Sequence, residues 1–192
     1  INERKSVTFH PTGSNIYSTS GTKLIKFVLT GDSFLDPSTF RVMFDIVNTN
    51  SNVVKELRVL GGPGSFFRRA RLLCGGVCIE DIDDYNRVEA MFSYLNNAQS
   101  EFNSNAEGCS KWDINYNATS GYDDETFSGI RGGQSQTVLF RPCLGLFKQM
   151  KFLPLRYAPL TLELELVNDS NDVIISSLND AYPFTAANTS LG

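Results

Sequence analysis

Several segments of this chain alternate apolar and polar residues with a period of two, and one stretch changes that rhythm. In residues 69–95, RARLLCGGVCIEDIDDYNRVEAMFSYL, strand periodicity gives way to helical periodicity. Ala70, Leu72 and Cys74 fall on one side of a pleat, and Arg69, Arg71 and Leu73 on the other. Gly75-Gly76 interrupts the run where a bulge or tight turn forms, since glycine takes positive φ without a Cβ clash. Val77-Cys78-Ile79 resumes the strand, and Glu80, Asp81, Asp83 and Asp84 end it. Tyr85, Val88, Met91, Phe92 and Leu95 then recur at 3.6-residue spacing, with Asp83 or Asp84 placed to cap the first turn. The spacing predicts one amphipathic helix with that stripe against a core. A lone helix among strands marks a decorated β-domain rather than alternating α/β units.

The remaining segments supply the strands. Residues 23–30 (KLIKFVLT), 40–48 (FRVMFDIVN) and 53–60 read as strands separated by turns at Gly31-Asp32, Asp36-Pro37-Ser38-Thr39 and residues 48–52. Residues 136–140, 144–152 and 160–167 give the closing strands, with a short piece expected at 173–177. Leu160, Leu162, Leu164 and Leu166 alternate with Thr161, Glu163, Glu165 and Val167, the pattern of a half-buried antiparallel strand. The fold class expected is all-β: an antiparallel β-sandwich or jelly roll of about eight strands, with one short helix and a long inserted loop. Residues 1–21 read as a polar N-terminal arm, 22–178 as the jelly-roll domain, and 179–192 as a C-terminal tail or linker. The insert, residues 96–133, is rich in asparagine and serine and carries Phe102, Trp112, Tyr116, Tyr122 and Phe127. It is too aromatic for a plain loop and too polar for core, so it reads as an excursion that packs on itself or on a neighbour.

Composition narrows the function classes. A chain of 192 residues, 41 % hydrophobic, suffices for one large β-domain. A net charge of −4 argues against a bulk nucleic-acid binder, whose affinity comes from neutralising phosphates. No run approaches the roughly 18 apolar residues of a membrane span. The first residue is Ile1, and no signal-peptide core follows, so a processed product or excised piece is expected. Four cysteines (Cys74, Cys78, Cys109, Cys143) make no disulfide framework in a chain this long, and buried thiols are expected.

A search for chemistry finds none. The single histidine, His10, lies in the polar arm without a nucleophile or acid nearby. Ser20-Gly21-Thr22-Lys23 matches S-x-x-K but lacks the partner motifs of a serine acyl-transferase. Gly61-Gly62-Pro63-Gly64 lacks the G-K-S/T of a phosphate loop. The acidic run from Glu80 to Asp84 lacks calcium-loop spacing and reads as a strand end plus helix cap. Arg68, Arg69 and Arg71 are expected to pair with carboxylates on neighbouring strands. No catalytic, metal-binding or cofactor-binding residue, and no cofactor, is expected.

Two motifs carry a family resemblance: Gly75-Gly76-x-x-Ile79-Glu80-Asp81-Ile82-x-x-Tyr85-Asn86-Arg87, and Phe152-Leu153-Pro154-Leu155 leading into Leu160-x-Leu162-x-Leu164. Over roughly residues 24–167 the chain resembles the jelly-roll major capsid proteins of eukaryotic double-stranded DNA viruses, of the polinton-like and adintovirus type. The resemblance implies a virion protein that assembles into an icosahedral shell with copies of itself or other capsid proteins, as trimers built from double jelly rolls. It supplies no catalytic residues. Two rolls need about twice this length, so the chain corresponds to one roll of such a protein or to a single-roll capsid protein. A shell protein works by complementary surfaces under symmetry, so Trp112, Tyr116 and Tyr122 are the expected subunit-contact anchors, large aromatics dominating interfaces. The rival is a carbohydrate-binding β-sandwich whose loop aromatics stack on sugars. A cupin-type enzyme would need more histidine than one.

Overall fold

The computed structural model describes residues 3–51, 62–95, 116–117, 121–122, 130, 132–169, 173 and 184–191. Its strands are β1 (Ile16–Ser18), β2 (Leu24–Leu29), β3 (Phe34–Leu35), β4 (Val42–Asn48), β5 (Phe67–Cys74) and β6 (Val77–Ile82). Then come helix α1 (Tyr85–Leu95), β7 (Tyr116–Asn117), β8 (Gly121–Tyr122) and β9 (Ser135–Phe140). A one-turn helix α2 (Gly145–Lys148), β10 (Leu153–Pro154), β11 (Leu160–Leu166) and β12 (Phe184–Leu191) complete the described elements. Single 3₁₀ turns, Pro37–Thr39 and Pro63–Phe66, lead into β4 and β5.

Eight of these strands form two four-stranded sheets, ordered β1-β12-β4-β9 and β2-β11-β5-β6. Numbered first to eighth along the chain, they pair first with eighth, second with seventh, third with sixth and fourth with fifth, all antiparallel. The chain is one long hairpin of nested pairs. It wraps so that the eighth strand also meets the third and the seventh the fourth. Such double-sheet wrapping defines a jelly roll. The hairpin closes at Gly75-Gly76, with Cys74 opposite Val77 and φ of 56° and 86° at the two glycines. Two positive φ values in a two-residue loop make the turn whose twist suits the flanking strands.

Alternation decides what lies between the sheets. Leu160, Leu162, Leu164 and Leu166 of β11 are buried, beside Ile25, Phe27 and Leu29 of β2 and Ala70 and Leu72 of β5. The other sheet contributes Val42, Phe44 and Ile46 of β4 and Val138 and Phe140 of β9. Phe44 meets Phe66, Phe67 and Phe140 edge-on at centroid separations of 6.1, 5.3 and 6.2 Å. Each buried side chain of this size stabilises by about 1.5–3 kcal/mol, and each aromatic pair adds roughly 0.5–1.5.

Several expectations are corrected. Segments read as an arm and a tail contain strands: β12 lies between β1 and β4, inside a sheet, and Tyr17 of β1 is buried. Composition hides β12 (FTAANTSL) because main-chain pairing on both sides holds it. Residues 144–152 do not form a strand; they hold α2, whose Phe147 stacks on Phe40 at 3.9 Å. Helix α1 exists as expected but is turned about its axis: Tyr85 of the expected stripe is buried, together with Asn86 and Ala90, whereas Met91, Phe92 and Leu95 are exposed. Neither Cys74, Cys78 nor Cys143 is fully buried, although all three are free thiols. The expected strand at 53–60, most of the insert, Cys109 and residues 174–177 lie outside the described residues.

Candidate functional site

A β-sandwich leaves its flanks open where edge strands meet no partner. Here the edge strands β6 and β9 bound one flank, and α1 and α2 close it. The closure is polar. The Tyr85 hydroxyl donates to Glu89 Oε1, and the backbone N–H of Cys143 donates to Tyr85 Oη at 2.6 Å and to Glu89 Oε1 at 3.3 Å. Burial is the main cause that raises both groups: it pushes Tyr85 well above the ordinary phenol range, and it lifts the Glu89 carboxyl despite the hydrogen bond from Tyr85. A β-carbon on Gly64 would lie 2.8 Å from the Glu89 carboxyl carbon, so the glycine leaves the space Glu89 occupies.

A second clasp lies beside the first. Glu80 accepts hydrogen bonds from the backbone N–H groups of Gly145 (2.8 Å) and Leu146 (2.7 Å), the open end of α2. The carboxylate thus caps a helix 65 residues further on rather than the one next to it. Lys148 Nζ sits 3.0 Å from Cys143 Sγ and 4.9 Å from the centre of the Phe92 ring. The hydroxyl, carboxyl and amide groups of these clasps are satisfied by one another, an arrangement that holds elements together. Sequence reasoning read the acids as a strand end and cap, and it had no signal for which helix they would reach.

The two outward sheet faces differ. On the face of β2-β11-β5-β6, one row runs Lys26, Glu163, Arg71, Asp81 across the four strands, alternating in sign. Lys26 and Arg71 lie 3.5 and 3.3 Å from Glu163. Arg69 meets Asp81 through two hydrogen bonds of 2.9 and 2.7 Å, holding the Asp81 carboxyl below the usual range. The pairing of β5 with β11 shifts register at Glu165/Leu166, which lets the consecutive Arg68 and Arg69 both face outward. Arg68 then reaches Glu165 at 3.2 Å and Asp83 at 3.5 Å. The arginine cluster pairs with carboxylates, as its position on a strand led one to expect. The face of β1-β12-β4-β9 instead carries Ile16, Met43, Leu139 and small residues. Its Asp45 accepts from Thr137 Oγ1 and Asn188 Nδ2.

Of the expected contact aromatics, Tyr116 stands opposite Tyr122 in the β7–β8 pair, and Trp112 lies outside the described residues. His10 is exposed. Among the described residues no cluster of three or more His, Cys, Asp or Glu side chains could hold a metal ion. No helix among them is long and apolar enough to cross a membrane.

These features define a class: a jelly roll whose polar residues clasp its own elements together. No protein-family model and no curated protein matches the chain. Among solved structures, the PBCV-1 virus capsid aligns over 100 % of this chain and 44 % of its own, with a TM-score of 0.55 and 14 % identity. The mavirus major capsid protein aligns over 100 % and 48 %, with a TM-score of 0.48 and 13 % identity. The PBCV-1 protein fitted into a reconstruction of the virophage Sputnik aligns over 100 % and 43 %, at 0.46 and 10 %. The chain therefore spans less than half the length of these chains. What it shares with the PBCV-1 capsid is the fold.

Proposed function

We propose that the chain is a structural protein of a viral capsid, working in the virion through surfaces matched to copies of itself or to other capsid proteins. One observation carries the reading: the nested-hairpin strand order, superposable along the whole chain on part of the PBCV-1 virus capsid. The clasped flank and the ion-paired sheet face fit a shell, which needs a rigid block more than a reacting centre. No step of catalysis is assigned to any residue.

In the finer form of this proposal, the chain assembles as a trimer, and the insert bearing Trp112, Tyr116 and Tyr122 supplies subunit contacts. Size-exclusion chromatography with light scattering, followed by negative-stain microscopy, tests it. Trimers or larger symmetric particles are expected, and a strict monomer at every concentration and salt overturns self-assembly. Trp112→Ala is expected to weaken assembly while leaving the thermal unfolding transition in place. Assembly untouched by that change removes the insert from the contact.

A further inference from the structure

Residues 126–162 contain no Asp or Glu, in a chain where 21 of 192 residues are acidic, yet they hold Arg131, Arg141, Lys148, Lys151 and Arg156. Much of this run forms the connection between β9 and β11, at the end of the sandwich where the Gly75-Gly76 turn also lies; Gly75 N–H donates to Pro159 O at 3.0 Å. The same connection displays large apolar side chains in the open. Met150 is 94 % exposed, Tyr157 81 % and Phe152 49 %, and Phe34 of the adjoining β3 is 68 % exposed. Pairing of β3 with β10 sets Leu35 opposite Leu153, both packed toward the core, and Phe34 opposite Pro154 on the outward side.

We infer that this end of the sandwich docks on an anionic lipid bilayer. Apolar tips interleaved with lysine and arginine are the composition that enters a headgroup layer: the tips bury in the acyl boundary, and the cations meet the lipid phosphates. Two carboxylates lie nearby: Asp36 is paired with Arg4 at 3.2 Å, and Asp32 lies 4.0 Å from Arg156, so these charges offset one another. Lys151 is the cation left unopposed, with no carboxylate partner among the described residues. A nucleic acid would use the cations but leave Met150 and Phe152 without purpose. The inference does not depend on the capsid reading.

Co-sedimentation of the full chain with vesicles tests it, using phosphatidylcholine with phosphatidylserine against phosphatidylcholine alone. Binding to the anionic vesicles is expected, weakening as salt is raised. Met150→Ser with Tyr157→Ser should lower partitioning by about tenfold or more, and Lys151→Gln by about fivefold. All three side chains are exposed, so the circular dichroism spectrum and melting temperature should stay unchanged. Failure of the unaltered chain to bind anionic vesicles at low salt overturns the inference without any variant. Equal binding by the double variant also overturns it, as does retention by double-stranded DNA in place of vesicles.

Discussion

Glu89 shows how one carboxyl ties the molecule to pH. Burial lifts it above the ordinary glutamate range, against the pull of Tyr85, the Cys143 N–H and the Lys148 ammonium. The folded state therefore binds its proton more readily than the unfolded chain does. That contribution to stability is complete below the ordinary glutamate value and is lost as pH rises through the lifted one. Glu89→Gln keeps an acceptor for Tyr85 and removes the titration. The melting temperature of the variant should accordingly vary less than that of the parent between the acid side of that window and neutral pH. Asp81 acts in the opposite sense, because Arg69 depresses it and its contribution disappears as pH falls through the lowered value. Asn48 is a neutral counterpart. Its Nδ2 donates to Ile130 O at 2.9 Å and its Oδ1 accepts from Asn50 N–H at 3.1 Å, at a fully buried position. Asn48→Ala strands the buried Ile130 carbonyl and should cost about 1–3 kcal/mol, read as a lower urea midpoint at unchanged slope.

Among the elements, α2 has one turn and cannot stand alone, since helix nucleation is unfavourable at that length. It exists because Glu80 holds its first two N–H groups and because Phe147 lies on Phe40. Glu80→Ala should destabilise the protein by about 1–3 kcal/mol, with Glu80→Gln in between, in equilibrium unfolding. Helix α1 illustrates why periodicity predicts an element better than its orientation. Its apolar stripe is real, but the flank it covers presents the Cys143 N–H, which needs an acceptor. Tyr85, the first residue of that stripe, stays inward with Glu89 beside it to receive the amide, and Met91, Phe92 and Leu95 are turned out. A buried unmatched amide costs about 1–3 kcal/mol, comparable with burying one of those apolar side chains.

Across the whole molecule, nested pairing makes the two ends of the chain interdependent. β12 is hydrogen-bonded on one side to β1 and on the other to β4, and it buries Phe184 against Phe66 at 5.0 Å. A chain stopped before Phe184 should lose its cooperative unfolding transition, because a doubly paired strand outweighs the roughly 5–15 kcal/mol by which a domain is stable. A true tail would leave that transition intact, and circular dichroism melts distinguish the two. The paired charges on the opposite face are partly exposed and contribute only about 0–1 kcal/mol each. Added salt should therefore shift the melting temperature little.

The amino-acid order by itself determined which side faces inward in strands such as Leu160–Leu166 and Val42–Asn48, because successive side chains in a strand point to opposite faces. It also determined the Gly75-Gly76 turn and the presence of α1, since both follow from local backbone preference. The rest came only with the tertiary structure: β12 as an inner strand, α1 turned about its axis, Glu80 closing a helix far along the chain, and Arg68 turned outward by a register shift. Each of these depends on which distant main-chain groups meet. That choice is made by packing two sheets and satisfying the groups at their edges, and no local run of residues encodes it.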